Sequence, residues 1–221
     1  MTRPVFDREK ILGLLLQSPF EPLCSKVLME HIIFRRGSHI WNDPRRYYEA
    51  MSSFSERIGT EIVYANLRKR DRLFADSLSG LYYACGRYTL GVTKDHEKDR
   101  TFLDQCHVIC SNTDAPYLKE EECINVKIYG DIGQAIEAGF DIYLAQSDCE
   151  RYLEDCSDRI IIAGGLGLEY LNSAQPNDIL KRIRSLRKKY GERWICGSGD
   201  RCTEETYLGF ITMLSAFDVK R

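Results

Sequence analysis

The sequence predicts an α/β fold built on a parallel sheet, because short apolar runs alternate with helical patterns along its last third. Three such runs, FDIYLAQ (140–146), RIIIAGG (159–165) and WICGSG (194–199), each end in small or polar residues. This order is typical of consecutive strand–helix units. The length of 221 residues suits a single domain, 1–221, that is a small TIM-type (β/α) barrel, either complete or trimmed and incompletely closed.

Charge and hydropathy exclude two classes of partner. Thirty-one basic residues oppose 33 acidic ones, which leaves a net charge of −2. The basic runs at 68–70 and 187–189 are typical of solvated surface, so nucleic acid is not an expected partner. The apolar segment 11–16 follows Asp7 and Glu9 and is too short for a signal peptide or a membrane span. We therefore expect a cytoplasmic protein that binds a small molecule.

The nine cysteines show no regular spacing and include no Cys-x-x-Cys pair. In an intracellular chain this pattern indicates free thiols, most of them buried as small apolar groups. Cys149 and Cys156 are seven residues apart, with Tyr152 and Leu153 between them, and so share one helix face. We expect both thiols to pack in the core.

Capping residues and apolar periodicity predict the helices. The predicted helices are 7–18, stopped by Pro19; a segment capped by Asp43 and ended by Gly59; 132–138, ended by Gly139; 179–190; and a last segment capped by Thr203.

The strands are predicted from β-rich runs bounded by turn residues. They are 26–34, 61–67, 81–92 (one strand or a hairpin), 105–111, and the three runs of the last third. The connection 93–104 is charged, and we expect it to be too short for a full covering helix.

Small and polar residues follow the last three strands, at 146–148, 163–165 and 197–200. Loops after the strands of a parallel barrel carry its chemistry, so these segments form the predicted floor of a site. Asp148 and Asp200 form an acid–base pair there, or they cap helices. The glycine-rich stretches around Gly165 and Ser198 indicate a phosphate or carboxylate site, or tight turns.

Four segments of the second half resemble the uroporphyrinogen decarboxylase superfamily, which also contains corrinoid-dependent methyltransferases. The resemblance is best over residues 105–217. CSNT (110–113) resembles the family's His-x-Cys-Gly-Asn-Thr strand end, and GFDIYLAQSD (139–148) resembles its Gly-Ala-Asp strand. AGGLGLEYLNSAQPNDI (163–179) resembles its Gly-Asn-Leu-Asp-Pro segment, and WICGSGD (194–200) resembles its closing strand. The resemblance implies a TIM-type barrel with an active cleft at the carboxyl ends of its strands.

The decarboxylase pattern is kept only in part. The family's Met-Arg-Gln-Ala-Gly-Arg segment matches 34–38 with a gap, which keeps Arg35 and loses the second arginine. The family's binding aspartate falls on Asn66, and its closing histidine falls on Asp200. Because an amide lacks the negative charge that holds a cluster of pyrrole N–H groups, these changes argue against uroporphyrinogen decarboxylation.

The methyltransferase pattern implies a zinc ion that activates a thiol. Cys110 matches the first cysteine ligand, but Val108 stands where the family has histidine, and His107 is one step away on the opposite strand face. The second cysteine falls on Asp200, with Cys202 two residues further on. Cys110 and Asp200, with His107 or Cys202, form the implied zinc site, or Cys110 is buried in the core and Asp200 lines the cleft without a metal. A bulge is needed to bring His107 round to it.

The sequence therefore favours a methyltransferase-type member of this superfamily. It would act with a small methylated substrate or with a corrinoid supplied by a partner protein. Cys110 and Asp200 would form the reactive floor, and the residues that position the ligand would be Arg35, His39, Asn66, Asp148, Gly165 and Ser198. Two alternatives remain: a non-catalytic barrel that binds a tetrapyrrole or corrinoid, and a phosphate-ligand barrel isomerase. By analogy with the decarboxylases, the chain would form a homodimer.

Overall fold

A computed structural model of the chain describes residues 5–23, 43–57, 61–65, 87–117, 122–156, 158–200 and 212. In these residues seven strands form one sheet in the order of the chain, and all six neighbouring pairs are parallel. The strands are β1 Ile62–Ala65, β2 Tyr88–Thr93, β3 Val108–Ser111, β4 Ile124–Ile128, β5 Ile142–Ala145, β6 Ile161–Gly164 and β7 Trp194–Ile195. The sheet curls into an incompletely closed α/β barrel, as the sequence predicted.

Helices connect and cover the strands. They are α1 Arg8–Leu16, α2 Pro44–Arg57, α3 His96–Leu103, α4 Ile132–Ala138, α5 Cys149–Cys156, α6 Leu168–Ser173 and α7 Pro176–Tyr190, and a 3-10 turn at Gly191–Arg193 precedes β7. Helix α2 packs on β1, α3 on β2, α5 on β6 and α7 on β7. None of the helices in the described residues is long and apolar enough to cross a membrane.

A capping carboxylate and a left-handed glycine fix two helix boundaries where the sequence predicted them. The Asp43 carboxylate accepts from the backbone N–H groups of Arg45 and Arg46 at 2.9 and 3.3 Å, which caps α2 as expected. Gly139 follows α4 in the left-handed conformation, at φ 85°, and ends that helix as expected.

Helix α1 packs at the N-terminal ends of the strands. Ile11 and Leu15 are buried in the main core, and the helix contacts both β1 and β7. Its Arg8 pairs with Asp141 at the start of β5 (2.7 Å), and its Lys10 lies 5.4 Å from the ring centre of Tyr88 on β2. Helix α1 therefore contacts strands at both ends of the sheet, β1 and β7, and also reaches β2 and β5.

Two elements differ from the sequence prediction. The connection 93–104 does form a covering helix, α3, because Asp95 caps it through Lys98 N (3.1 Å). Two turns suffice since Gly91 on β2 leaves room for Phe102, whose ring lies 2.9 Å from a Cβ built on that glycine. Strand β4 (INVKI) was not predicted at all; Asn125 and Lys127 alternate with its apolar residues and are nevertheless buried.

The other predicted elements lie partly outside the described residues. Within those residues, 81–92 contributes only β2, a single strand from Tyr88 to Thr93. The predicted strand 26–34 falls outside the description, and of the predicted helix after Thr203 only Thr212 is described, in a helical conformation. All six described cysteines are free and buried, and they include Cys149 and Cys156 on one face of α5.

Candidate functional site at the carboxyl ends of the strands

Glycines bring the ends of β5, β6 and β7 into close backbone contact. A Cβ built on Gly199 would overlap the carbonyl oxygen of Ala145, and one built on Gly164 would lie 2.7 Å from the same oxygen. Both glycines have positive φ, at 80° and 76°. Because no side chain intervenes, the segment after β7 passes over the end of β6 and reaches the end of β5.

This crossing places Asp200 beside Gln146. Gln146 Nε2 donates to Asp200 Oδ1 at 2.9 Å, and the two residues are 54 positions apart in the chain. Gln146 directly follows β5 and is exposed, whereas Asp200 is half-buried. The segments 146–148 and 197–200 therefore meet at one edge of the barrel, where the sequence predicted the floor of a site.

A buried carboxylate lies next to this pair. Glu21 is 1% exposed; its Oε1 accepts from Ser198 N at 2.5 Å and its Oε2 accepts from Ser198 Oγ at 2.6 Å. Ser198 Oγ in turn accepts from Asp200 N at 3.3 Å. Phe20 N donates to Cys196 O at 2.7 Å, so the segment after α1 runs beside β7 and continues to Glu21. The backbone of Asp200 is thus tied to a buried acid from the N-terminal segment.

Cys110, the predicted reactive cysteine, lies in an apolar row of the sheet. It is fully buried, and its register neighbours are Val92 on β2 and Val126 on β4. Burial raises the pKa of its thiol well above the usual range, with a smaller contribution from Cys106. The side chain is therefore a core thiol whose burial disfavours the thiolate form.

His107 is held away from Cys110. Its Nδ1 accepts from Thr89 N at 3.2 Å and lies at the same distance from Thr89 Oγ1, and its ring meets Tyr88 edge-on at 5.1 Å. Because the strand alternates its faces, a residue three positions before Cys110 points to the other side, as the sequence indicated.

The described residues do not fit the zinc site that the resemblance implied. No group of three histidine, cysteine, aspartate or glutamate side chains among them is placed to hold a metal ion. Cys110 is a neutral buried thiol, and Nδ1 of His107 is already occupied. Cys202, the other predicted ligand, lies outside the described residues.

The glycine loops use several of their N–H groups internally. Leu166 N donates to Gly197 O (3.3 Å), Gly167 N donates to Ser198 O (3.1 Å), and Ser198 N donates to Glu21. A Cβ built on Gly165 would overlap the Cβ of Cys149, so this glycine is needed for packing between the loop and α5. These contacts favour the tight-turn interpretation over an anion site.

Asp148 lies at the same edge as Asp200 but differs from it in exposure and in backbone conformation. It is exposed, has a left-handed backbone conformation at φ 53°, and directly precedes α5. The side-chain partner that the structure gives Asp200 is Gln146. The predicted ligand-positioning residues Arg35, His39 and Asn66 lie outside the described residues.

The loop after β3 is fixed by a buried cation. Lys127 Nζ donates to the carbonyl oxygens of Asn112 and Thr113 at 3.3 and 2.6 Å. Thr113 Oγ1 also lies 2.9 Å from Ser111 Oγ and 3.3 Å from His96 Nε2. Hydrogen bonds thus hold the CSNT segment at the same edge of the barrel.

Glu21 was not identified from the sequence, because the Pro-Phe-Glu-Pro segment (19–22) was interpreted only as the end of α1. The available signal was a charged residue that lies between two prolines and follows an apolar helix, which indicates a carboxylate at the end of a buried segment. Gln146 was placed in the predicted floor but was given no role, since its partner is 54 residues away.

No protein-family model and no curated protein matches the sequence. The fold defines the chain as an incompletely closed parallel α/β barrel, and among solved structures it resembles a methyltransferase from Methanosarcina mazei. The superposition has a TM-score of 0.63 and covers 94% of this chain and 98% of that protein, at 9% sequence identity. At this identity the likeness concerns the fold.

Proposed function

We propose that the chain is a methyltransferase-type barrel that takes a small methylated substrate or a corrinoid at the carboxyl ends of its strands. The fold likeness to a methyltransferase, which extends over nearly the full length of both chains, is the observation that carries this proposal. The motifs around Cys110 and Asp200 support it from the sequence. In this proposal the protein acts in the cytoplasm, as a monomer or a homodimer, and the methyl donor is either the small methylated compound or a corrinoid supplied by a partner protein.

The chemistry would centre on Asp200. Its carboxylate is half-buried and is oriented by Gln146, and its backbone is tied to the buried Glu21 through Ser198. A carboxylate held in this way is able to orient the group that accepts a methyl and to take the proton that this group releases. The bound donor would supply the methyl group and would keep the electron pair of the bond that breaks, whereas the chain's own residues would supply position and charge.

Cys110 has a structural role in this proposal. A fully buried neutral thiol between Val92 and Val126 shapes the barrel wall beneath the edge, and it neither attacks the substrate nor activates a thiol. The mechanism thus differs from the zinc-dependent one that the family resemblance implied.

A non-catalytic binding barrel is the second candidate. It is favoured by one observation: Cys110, the cysteine that the motif would make reactive, is fully buried in the core, although the barrel and its polar edge are kept. Binding without turnover would then be the function of the same edge.

Equilibrium binding of methylcobalamin tests both candidates against a phosphate-ligand isomerase. We expect the wild-type chain to retain the corrinoid on ultrafiltration, and we expect Asp200→Asn to weaken retention by about tenfold, the effect of one charge-assisted hydrogen bond. Asp158→Asn is the matched control, because Asp158 is exposed and pairs with Arg193 away from the edge. Absence of saturable retention by the wild-type chain would remove the corrinoid from the proposal.

A further inference from the structure

We propose that His96 is a proton-controlled latch that holds the loop after β3, residues 112–117, against the start of helix α3. The neutral imidazole closes the latch, and protonation of the imidazole in mildly acidic solution opens it. This inference concerns a conformational device of the fold and does not depend on the proposed function.

His96 contacts the loop at two points. Its Nε2 lies 3.3 Å from Thr113 Oγ1, and its ring meets the ring of Tyr117 edge-on at a centroid distance of 5.4 Å. His96 is the first residue of α3 and is half-buried. One side chain thus connects helix α3 to the loop that leads from β3 to β4.

The hydrogen bonds of Thr113 determine which nitrogen of His96 carries the proton. A hydroxyl group has one hydrogen to donate and two lone pairs that accept. Thr113 Oγ1 donates to Ala115 O at 2.9 Å, so it accepts from the two other groups that it touches, Ser111 Oγ at 2.9 Å and His96 Nε2. Neutral His96 is therefore the Nε2–H tautomer, and a second proton goes to Nδ1.

Two carboxylates of α3 face His96, and each has a partner of its own. Asp95 pairs with Lys98 Nζ at 2.8 Å, and Asp99 accepts from Thr93 Oγ1 at 2.7 Å. Burial lowers the pKa of His96, and the two carboxylates, which act in the opposite direction, offset only part of that effect. The closed latch therefore disfavours the imidazolium form.

The charges on the other side of the latch act in the same direction. The titratable groups that the structure describes there are paired: Tyr117 with Asp104 at 2.5 Å, and Lys127 with the exposed Asp114 at 3.5 Å. Lys127 also donates to Thr113 O at 2.6 Å. Protonation of His96 would thus place a second cation on the same threonine, at the positive end of a helix.

These features set the direction of the pH dependence. The pKa of His96 is lower in the closed latch than for a ring in water, so closure is favoured above about pH 6.5 and is lost as the pH falls below it. The charged ring then leaves Thr113 and Tyr117 for water. The loop that continues from the CSNT segment loosens, and with it one side of the carboxyl edge of the barrel.

The test follows the backbone amide of Tyr117 in the whole 221-residue chain by native-state hydrogen exchange. This amide donates to Asn125 Oδ1 at 2.8 Å, so it is protected while the loop is in place. After correction for the intrinsic pH dependence of exchange, its protection should fall at least about threefold between pH 7.5 and 5.5. Low concentrations of urea should not change it, because opening of the loop exposes little surface. Exchange that rises with urea would come from global unfolding and would overturn the latch.

Two matched variants of α3 assign the effect to His96. Glutamine keeps an N–H for Thr113 but takes up no proton, so His96→Gln should abolish the fall in protection and stay within about twofold of the wild-type value at pH 7.5. Glu97→Gln removes an exposed carboxylate next to His96 and should keep the fall. The same fall in His96→Gln, or its loss in Glu97→Gln, would assign the dependence to other groups and overturn the proposal.

Nitrogen-15 NMR of the imidazole groups in the wild-type chain decides the question even if a variant fails to fold. We expect the Nε2–H tautomer of His96 at pH 7.5 and a pKa below that of an exposed histidine. An Nδ1–H tautomer, or a pKa equal to or above that of an exposed histidine, would overturn the latch.

Discussion

The carboxylate of Glu21 accepts hydrogen bonds from both the backbone N–H and the hydroxyl of Ser198, at 2.5 and 2.6 Å. The two residues are 177 positions apart and join the segment after α1 to the segment after β7. Both are almost fully buried. This contact sets the position of the chain that carries Asp200, and it links the stability of the barrel edge to the geometry of the candidate site.

The hydrogen bonds of Glu21 to Ser198 should stabilise the fold by more than an exposed side chain does. We expect Glu21→Ala to lower the free energy of unfolding by about 3 kcal/mol, because it leaves two donors of Ser198 buried without their acceptor. Glu137→Ala, which removes an exposed carboxylate from α4, should change it by less than about 0.5 kcal/mol. Urea unfolding measures both values. Similar values for the two variants would show that Glu21 does not hold this edge.

Gly199 should tolerate no side chain. Both Gly199 and Gly139 have positive φ, but a Cβ on Gly139 meets nothing within 4 Å, whereas one on Gly199 strikes the Ala145 carbonyl. We expect Gly139→Ala to cost about 1–2 kcal/mol from backbone strain alone. Gly199→Ala adds the collision, so its loss in urea unfolding should be clearly larger. Equal losses of unfolding free energy in Gly199→Ala and Gly139→Ala would contradict the close approach of the segment after β7 to the ends of β5 and β6.

The Cys110 thiol should be unreactive in the native protein. Complete burial raises its pKa, so at pH 8 the thiolate is scarce and the reagent has no access. Iodoacetamide labelling followed by peptide mass spectrometry should show Cys110 modified only after unfolding in urea. Fast native labelling would contradict its place in the core. So would about one zinc per chain that is lost in Cys110→Ala.

His96 should make stability fall in mildly acidic solution. Desolvation lowers its pKa in the folded state, although Asp95 and Asp99 act in the opposite direction. As pH falls through about 6.5, the unfolded chain binds this proton before the folded chain does, so stability decreases. His96→Gln should flatten that part of the pH profile of urea unfolding. An unchanged slope in the variant would assign the dependence to other groups.

The sequence predicted the parts of the fold that depend on local patterns. Apolar runs followed by glycine or aspartate located β5, β6 and β7, and capping residues located the starts of α2 and α4, because these signals lie within a few residues of the element. Strand β4 was not predicted because Asn125 and Lys127 divide its apolar residues. Their burial is made possible by distant acceptors, such as the carbonyl group of Thr113.

The site was predicted only as a region. Asp200 was identified because it follows a strand, but its contact with Gln146 depends on a crossing that no local pattern encodes. Glu21 was missed for the same reason, since its partner is at the far end of the chain. Cys110 matched a ligand motif, but its environment is set by Val92 and Val126 on neighbouring strands.

In the proposed function, this barrel supports methyl transfer at the edge that carries Asp200. The most direct measurement is mass-spectrometric detection of the thioether formed from methylcobalamin and a small thiol, with wild-type chain, with Asp200→Asn and without protein. We predict protein-dependent product that falls by at least about tenfold in Asp200→Asn. Product at the same rate without protein, or unchanged in Asp200→Asn, would contradict the claim.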